Sequence, residues 1–249
     1  MNIGVADYGM SVWYGGSYDI GARLSDLKRV GYEGIEILKA ADASDAIAKA
    51  VEFKRLGMDF TSCSGPSVDC TIQWTAAMGK AYVWTSVSGK DFDTFCRQVN
   101  GQAEAAARYG VKVGIHNHLG SLVETQAQLE EFLRRCPACG IVCDTGHLAA
   151  AGGDVLAVVK QYSARILAMH VKDWRSTGSA SPVNNSDWYK CGYFTGLGKG
   201  NIGQNNAAVI KALRAGDYSG WVFVEHDTHK QDPLIDLSES RQYLKAAGV

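Results

Sequence analysis

Four short clusters of ionisable side chains mark the second half of this 249-residue chain. They are His116 with His118, Asp144 with His147, His170 with Lys172, and Glu225. Imidazole and carboxylate are the groups that hold borderline transition metals and trade protons near neutral pH. His116, Asp144, His170 and Glu225 together make an N2O2 donor set, which suits Mn, Co, Fe, Ni or Zn better than Ca. No local spacing joins these residues, so only a fold could bring them to one place. Taken singly, a His or Asp at the end of a strand can equally cap a helix or bond a backbone amide.

A strand followed by a helix recurs through the chain, roughly every 25–30 residues, and this calls for a parallel sheet with covering helices. Strands are expected at Ile3–Asp7, Gly34–Ile37, Met58–Ser62, Ala81–Ser86, Val111–His116, Gly140–Asp144, Arg165–Lys172 and Trp221–Glu225. They are short, apolar and β-branched, as strands buried on both faces are. Helical spacing fills 91–109, 124–135, 203–215 and 234–246, with stops near Gly110, Pro137, Gly216 and Gly248. Eight such units in a domain-sized chain predict an α/β fold, a single (β/α)8 TIM barrel over residues 1–249. The competing fold is an open doubly wound sheet, but its glycine-rich phosphate turn is missing, since Tyr8-Gly9-Met10-Ser11 does not fit G-x-G-x-x-G.

In a barrel all strand C-termini meet at one mouth, where active sites sit. His116, Asp144, His170 and Glu225 end strands five to eight and would face one space. Residues two further along a strand point the same way, which adds His118 and Lys172. His147, at the turn after Asp144, could bind a substrate oxygen. Glu36 ends strand two on the opposite wall and reads either as a substrate contact or as an ion pair inside the mouth. Trp13, Trp74, Trp84 and Trp174 are candidates for an apolar wall against a sugar ring. The connection 173–202, rich in glycine and aromatics, reads as a functional loop at the same mouth.

Composition excludes several functions. Net charge is −1 with acids and bases scattered, so no nucleic-acid groove or charged membrane surface is expected. The start of the chain reads as a strand rather than a leader, and no apolar run approaches the roughly 20 residues of a membrane span. A cytoplasmic protein is expected. Seven Cys residues are an odd, scattered count rather than a disulfide framework. Cys136-Pro137-Ala138-Cys139 has redox spacing but joins a helix to a strand and reads as structural.

Four strings resemble the xylose isomerase-like barrel superfamily. They are Gly114-Ile115-His116-Asn117-His118-Leu119-Gly120-Ser121, Cys143-Asp144-Thr145-Gly146-His147 with its Ala151-Gly152-Gly153-Asp154 tail, His170-Val171-Lys172-Asp173-Trp174-Arg175, and Val224-Glu225-His226-Asp227. That superfamily holds sugar isomerases, ketose 3-epimerases, inosose dehydratases and the endonuclease IV group. The D-T-G-H and H-V-K-D strings and the later Phe194–Ile202 stretch are most similar to the inosose dehydratase branch. The resemblance implies one divalent ion (Mn, Co, Mg or Zn) on His116, Asp144, His170 and Glu225, and a small sugar or cyclitol substrate. For a keto-sugar or inosose the expected chemistry is proton abstraction α to the carbonyl, with Glu225 or His118 as base and His147 and Lys172 holding or protonating oxygens. Glu36, His147, Trp13 and Arg175 are expected at the substrate. One position departs: epimerases carry Glu on strand five where this chain has His116, which argues against a two-Glu epimerase mechanism. A DNA-repair endonuclease would need further His ligands on strands two to four, and none is there. A non-catalytic sugar-binding barrel and a homo-oligomer covering its partner's mouth with Trp188, Tyr189 and Tyr193 are the remaining expectations.

Overall fold

The computed structural model describes residues 1–6, 8–17, 19–85, 87, 89, 91–178, 187–227 and 231–248. Asp7 and Ser86, the expected ends of two strands, and 179–186 of the long connection lie outside the described residues.

Eight parallel strands form one nearly closed barrel, in the order β3-β2-β1-β10-β7-β6-β5-β4. They are β1 Asn2–Ala6, β2 Gly34–Lys39, β3 Asp59–Ser64, β4 Tyr82–Trp84, β5 Lys112–His116, β6 Gly140–Asp144, β7 Ile166–Val171 and β10 Trp221–Glu225. Helices cover the outside: α2 Ile20–Val30, α3 Ala43–Leu56, α4 Val68–Ala77, α5 Phe92–Ala107, α6 Gln126–Arg135, α8 Val155–Tyr162, α9 Asn206–Ala215 and α10 Pro233–Ala246. Two short helices, α1 Tyr8–Trp13 and α7 Thr145–Ala150, follow β1 and β6 directly. The helix starts are chemically set. Asp19, Asp42, Ser67, Asp91, Asp154, Asn205 and Asp232 each accept a first-turn N–H, and Thr125 with Gln128 forms a full capping box. Gly31 ends α2 at φ 102°, a conformation that a side chain would strain. No helix is long and apolar enough to cross a membrane among the described residues.

The connection after β7 is not only a loop. Asp173–Ser176 (β8) pairs antiparallel with Gly192–Thr195 (β9). Trp174 and Phe194 are buried while Arg175 is exposed, the period-two alternation of a half-covered hairpin. Four-residue strands are too short for their periodicity to show above the surrounding glycines. Gly192 is required for close packing, because a Cβ there would lie 2.5 Å from the Trp174 ring.

Inside the barrel, Tyr82, Val142, Ala168 and Phe223 form a buried apolar plug with Ala6. Val142, Ala168 and Phe223 stand two residues before Asp144, His170 and Glu225, on the same face. Hydrocarbon thus fills the barrel directly beneath the polar layer. Where β3 and β4 meet, the sheet has no main-chain ladder. A side-chain contact bridges this seam: Thr61 Oγ1 stands 2.9 Å from the Tyr82 hydroxyl of β4 and 2.9 Å from the Glu36 carbonyl of β2, and its single proton serves one of the two.

Thr61→Val keeps the shape and deletes the hydroxyl that makes these contacts. A loss of about 1–2 kcal/mol in chemical denaturation is expected; an unchanged midpoint would show that the seam does not depend on this hydroxyl.

Candidate active site

The four strand-end residues meet at the barrel mouth. One ligand-type atom from each of His116, Asp144, His170 and Glu225 can be chosen so that all lie within 4.8 Å of one another. Asp144 faces two ways. Its Oδ1 accepts the His147 N–H at 2.7 Å and so caps α7, while its Oδ2 lies 3.3 Å from His116 Nε2 and 3.8 Å from His170 Nδ1. The cap and the cluster therefore use different oxygens of one carboxylate. The fully buried Asn117 fixes this residue further, donating to the Asp144 carbonyl at 3.0 Å and accepting its N–H at 2.8 Å.

His170 is held from both sides. Nδ1 meets Glu225 Oε2 at 2.8 Å and Nε2 meets Glu36 Oε2 at 2.7 Å. Burial disfavours a charged imidazole, but Glu36 and Glu225 outweigh it and raise the His170 pKa well above its ordinary value. Glu36 is itself aimed by the Tyr82 hydroxyl and the Trp84 indole N–H, both donating to Oε1 at 2.9 Å. The structure therefore places Glu36 behind His170. That is the outer-sphere carboxylate arrangement that orients a metal-binding histidine.

Lys172 supplies the fixed positive charge. Its Nζ lies 3.1 Å from Asp144 Oδ2, 2.8 Å from Glu225 Oε2 and 2.5 Å from Asp227 Oδ2. Burial opposes its charge, yet the three carboxylates hold its pKa above that of an ordinary lysine. Burial likewise pushes Asp144 and Glu225 up, and Lys172 leads the opposing charges that leave both lowered, Glu225 strongly. Asp227 goes the other way, raised by burial and by the neighbouring Glu225 charge. Asp227 Oδ1 is buried with no hydrogen-bond partner among the described residues, although the residue lines the cavity. Asp227 was absent from the residues expected from sequence. The signal was available, since it follows Glu225 by two as His118 follows His116.

His118 and His147 form a pair with ring centroids 3.8 Å apart. The main chain of Leu119 sets opposite tautomers. His118 Nδ1 donates to the Leu119 carbonyl at 2.7 Å, whereas His147 Nδ1 accepts the Leu119 N–H at 3.1 Å. The remaining nitrogen of neutral His118 is thus an acceptor and that of neutral His147 a donor. Burial lowers both pKa values, that of His147 strongly, with Lys172 as its next cause. Both shifts favour the neutral ring. Gly146, inside the D-T-G-H string, is there for space: a Cβ would stand 2.6 Å from Lys172 Cγ.

A cavity of about 630 Å³ opens above this floor, lined by Glu36, His116, His118, His170, Glu225 and Asp227 below and by aromatic residues above. Trp84 stacks on His116 at 4.7 Å and lines it. Trp188, Tyr189 and Tyr193, expected over a partner's mouth, line this chain's own cavity. Other expected residues are not brought there. Trp13 is 39% exposed on α1, Trp74 packs against the core, and Trp174 is buried behind Phe194. Arg175 is exposed and donates to the Lys199 carbonyl at 3.0 Å. Asp173 of the H-V-K-D string is a strut, accepting the Gly198 and Gly200 N–H groups.

Residues 67–247 match the family model described as xylose isomerase-like TIM barrel. The chain belongs to this family. Among curated relatives of this xylose isomerase-like barrel is the inosose dehydratase of Lactiplantibacillus plantarum, 30% identical over 164 residues, 63% of this chain and 54% of the relative. The chain spans about half the length of the curated relatives it matches. Two solved structures share the fold. One is the probable 3-DHS dehydratase AsbF of Bacillus anthracis, with TM-score 0.74, 16% identity, and 98% and 99% of the two chains covered. The other is a xylose isomerase-like barrel from Mycobacterium smegmatis in complex with magnesium, with TM-score 0.66, 15% identity, and 93% and 89% covered.

Asn117→Ala removes two bonds to the Asp144 main chain and leaves buried groups without partners. Calorimetric unfolding is expected to show a loss of about 2–4 kcal/mol; a variant as stable as the parent would mean that solvent replaces the asparagine.

Proposed function

We propose that this chain is a divalent-metal-dependent enzyme that removes the proton α to the carbonyl of a keto-sugar or inosose, with loss of water as the outcome. The observation that carries this reading is the convergence of four ligand-type side chains on one cavity floor beside two neutral histidines of opposite tautomer. Likeness to the inosose dehydratase supports dehydration over isomerisation or epimerisation. His116 on β5 supports it too, since a paired-Glu epimerase scheme lacks its strand-five carboxylate.

The donor set fits a metal. Two imidazoles and two carboxylates suit Mn, Co or Zn, with Mg a poorer match for imidazole. Glu36 offers the outer-sphere bond that a ligating His170 uses, and Lys172 keeps Asp144 and Glu225 ionised for the role. The ion would be held by His116, Asp144, His170 and Glu225. When bound, it supplies Lewis-acid stabilisation of the negative charge that develops at the substrate carbonyl.

The proton work falls to the histidine pair. Glu225 is engaged by both Lys172 and His170 and is strongly acidic, so it is a weak base. His118 lines the cavity with an acceptor nitrogen and accepts the α-proton on Nε2. The C–H electrons then form the new C=C bond as the β C–O bond breaks. The departing hydroxyl takes a proton from the His118–His147 pair and leaves as water. Lys172, locked among three carboxylates, holds charge rather than giving up a proton. Asp227 Oδ1, buried without a partner at the cavity wall, is placed to accept a substrate hydroxyl. Seven unpaired cysteines fit a reducing compartment, and we place the protein in the cytoplasm.

The test is purified protein with Mn²⁺ and 2-keto-myo-inositol. An ultraviolet-absorbing enone is expected to accumulate, and His118→Ala is expected to lower kcat by about 10²–10⁴-fold with metal content unchanged. A new epimer without absorbance would replace dehydration by epimerisation, and an unaffected His118→Ala variant would remove His118 as base.

A further inference from the structure

The cavity combines ionisable and aromatic lining residues. Its volume of about 630 Å³ lies well inside the range of roughly 300–1000 Å³ that encloses drug-sized ligands. Its two halves differ in chemistry. The floor concentrates the charged groups. The outer half is walled by Tyr8 after β1 and by Trp188, Tyr189 and Tyr193 of the insertion after β7, with Lys39 at the end of β2 also bordering the cavity.

A free cyclitol presents hydroxyls in every direction and would leave its outer edge against these aromatic faces with few polar partners. Those aromatics do not simply bury one another. Tyr8 is 57% exposed and Tyr189 is 60% exposed, although both border the cavity. Trp188 lies tilted against Phe194 at 5.4 Å and edge-on to the His147 ring at 6.2 Å. Rigid aromatic planes of this kind gain most from a flat apolar partner.

We propose that the outer half is a second-ring subsite, and that the natural substrate is a sugar ring carrying a planar apolar substituent, such as an aryl glycoside in its keto form. This deepens the reading of the floor and rests on it, because the sugar ring is the part that the floor receives. The substituent stacks between the insertion after β7 and the β1–β4 side of the mouth.

Titration calorimetry with phenyl β-D-glucoside and methyl β-D-glucoside, on protein loaded with Mn²⁺, reads the subsite without turnover. The phenyl compound is expected to bind about tenfold more tightly, or better. Tyr189→Ala and Trp188→Ala are expected each to cut that preference severalfold, with circular dichroism reporting that the variants are folded. Equal affinities, no binding of either compound at millimolar concentration, or a preference that survives both substitutions would overturn the subsite. So would a second copy of the chain covering this rim, seen as a dimer that Tyr189→Ala dissociates. Enone formation from 2-keto-myo-inositol without any phenyl preference would sink the subsite alone; a phenyl preference with no ultraviolet-absorbing elimination product from either 2-keto-myo-inositol or a keto-form phenyl glucoside would sink the elimination chemistry alone.

Discussion

Three carboxylates, from Glu36, Glu225 and Asp227, line one cavity with the buried Asp144 packed beside them, and the site depends on compensating all four. Buried carboxylates without counter-charges cost several kcal/mol each. Two cations answer them from within β7 and just after it. Lys172 binds three of the carboxylates, and His170 is clamped between Glu36 and Glu225. The resulting balance keeps Asp144 and Glu225 ionised in a setting where burial alone would neutralise them. On the proposed reading, a divalent cation held by His116, Asp144, His170 and Glu225 would displace the His170 proton and take over its share of that balance.

Rigidity below the floor serves the same end. The plug of Val142, Ala168 and Phe223 sits one pleat beneath Asp144, His170 and Glu225, so each ligand-type side chain rises from a packed strand. Asn117 and the α7 cap immobilise Asp144, and the Tyr82 and Trp84 donors immobilise Glu36. The mouth is built differently. Its aromatic wall comes mainly from the insertion between β7 and α9, outside the barrel ladder. Strands thus fix the charged floor while an appended segment shapes what the floor receives.

Most of this was legible in the sequence where period and position coincide. The barrel strands ending in His116, Asp144 and Glu225 are found at those residues, because long-range convergence follows from the fold once eight strands are recognised. The β8–β9 hairpin was not legible, since two four-residue strands set among glycines carry too little pattern. Asp227 was missed although the period-two rule that selects His118 and Lys172 also selects it. The opposite tautomers of His118 and His147 could not be read at all, as they depend on one residue's N–H and C=O lying between two rings. Tryptophan misled for a plain reason: a large apolar residue near a barrel end is indifferent between core and cavity, and of the four weighed only Trp84 lines the cavity.

The account rests on one cation at the meeting point of strands β5, β6, β7 and β10. Anomalous diffraction from crystals grown with manganese tests it directly. A single strong peak is expected at roughly 2.0–2.3 Å from one atom each of His116, Asp144, His170 and Glu225. A floor without a peak, with Lys172 still bridging Asp144 and Glu225, or a peak held elsewhere in the molecule, would contradict it.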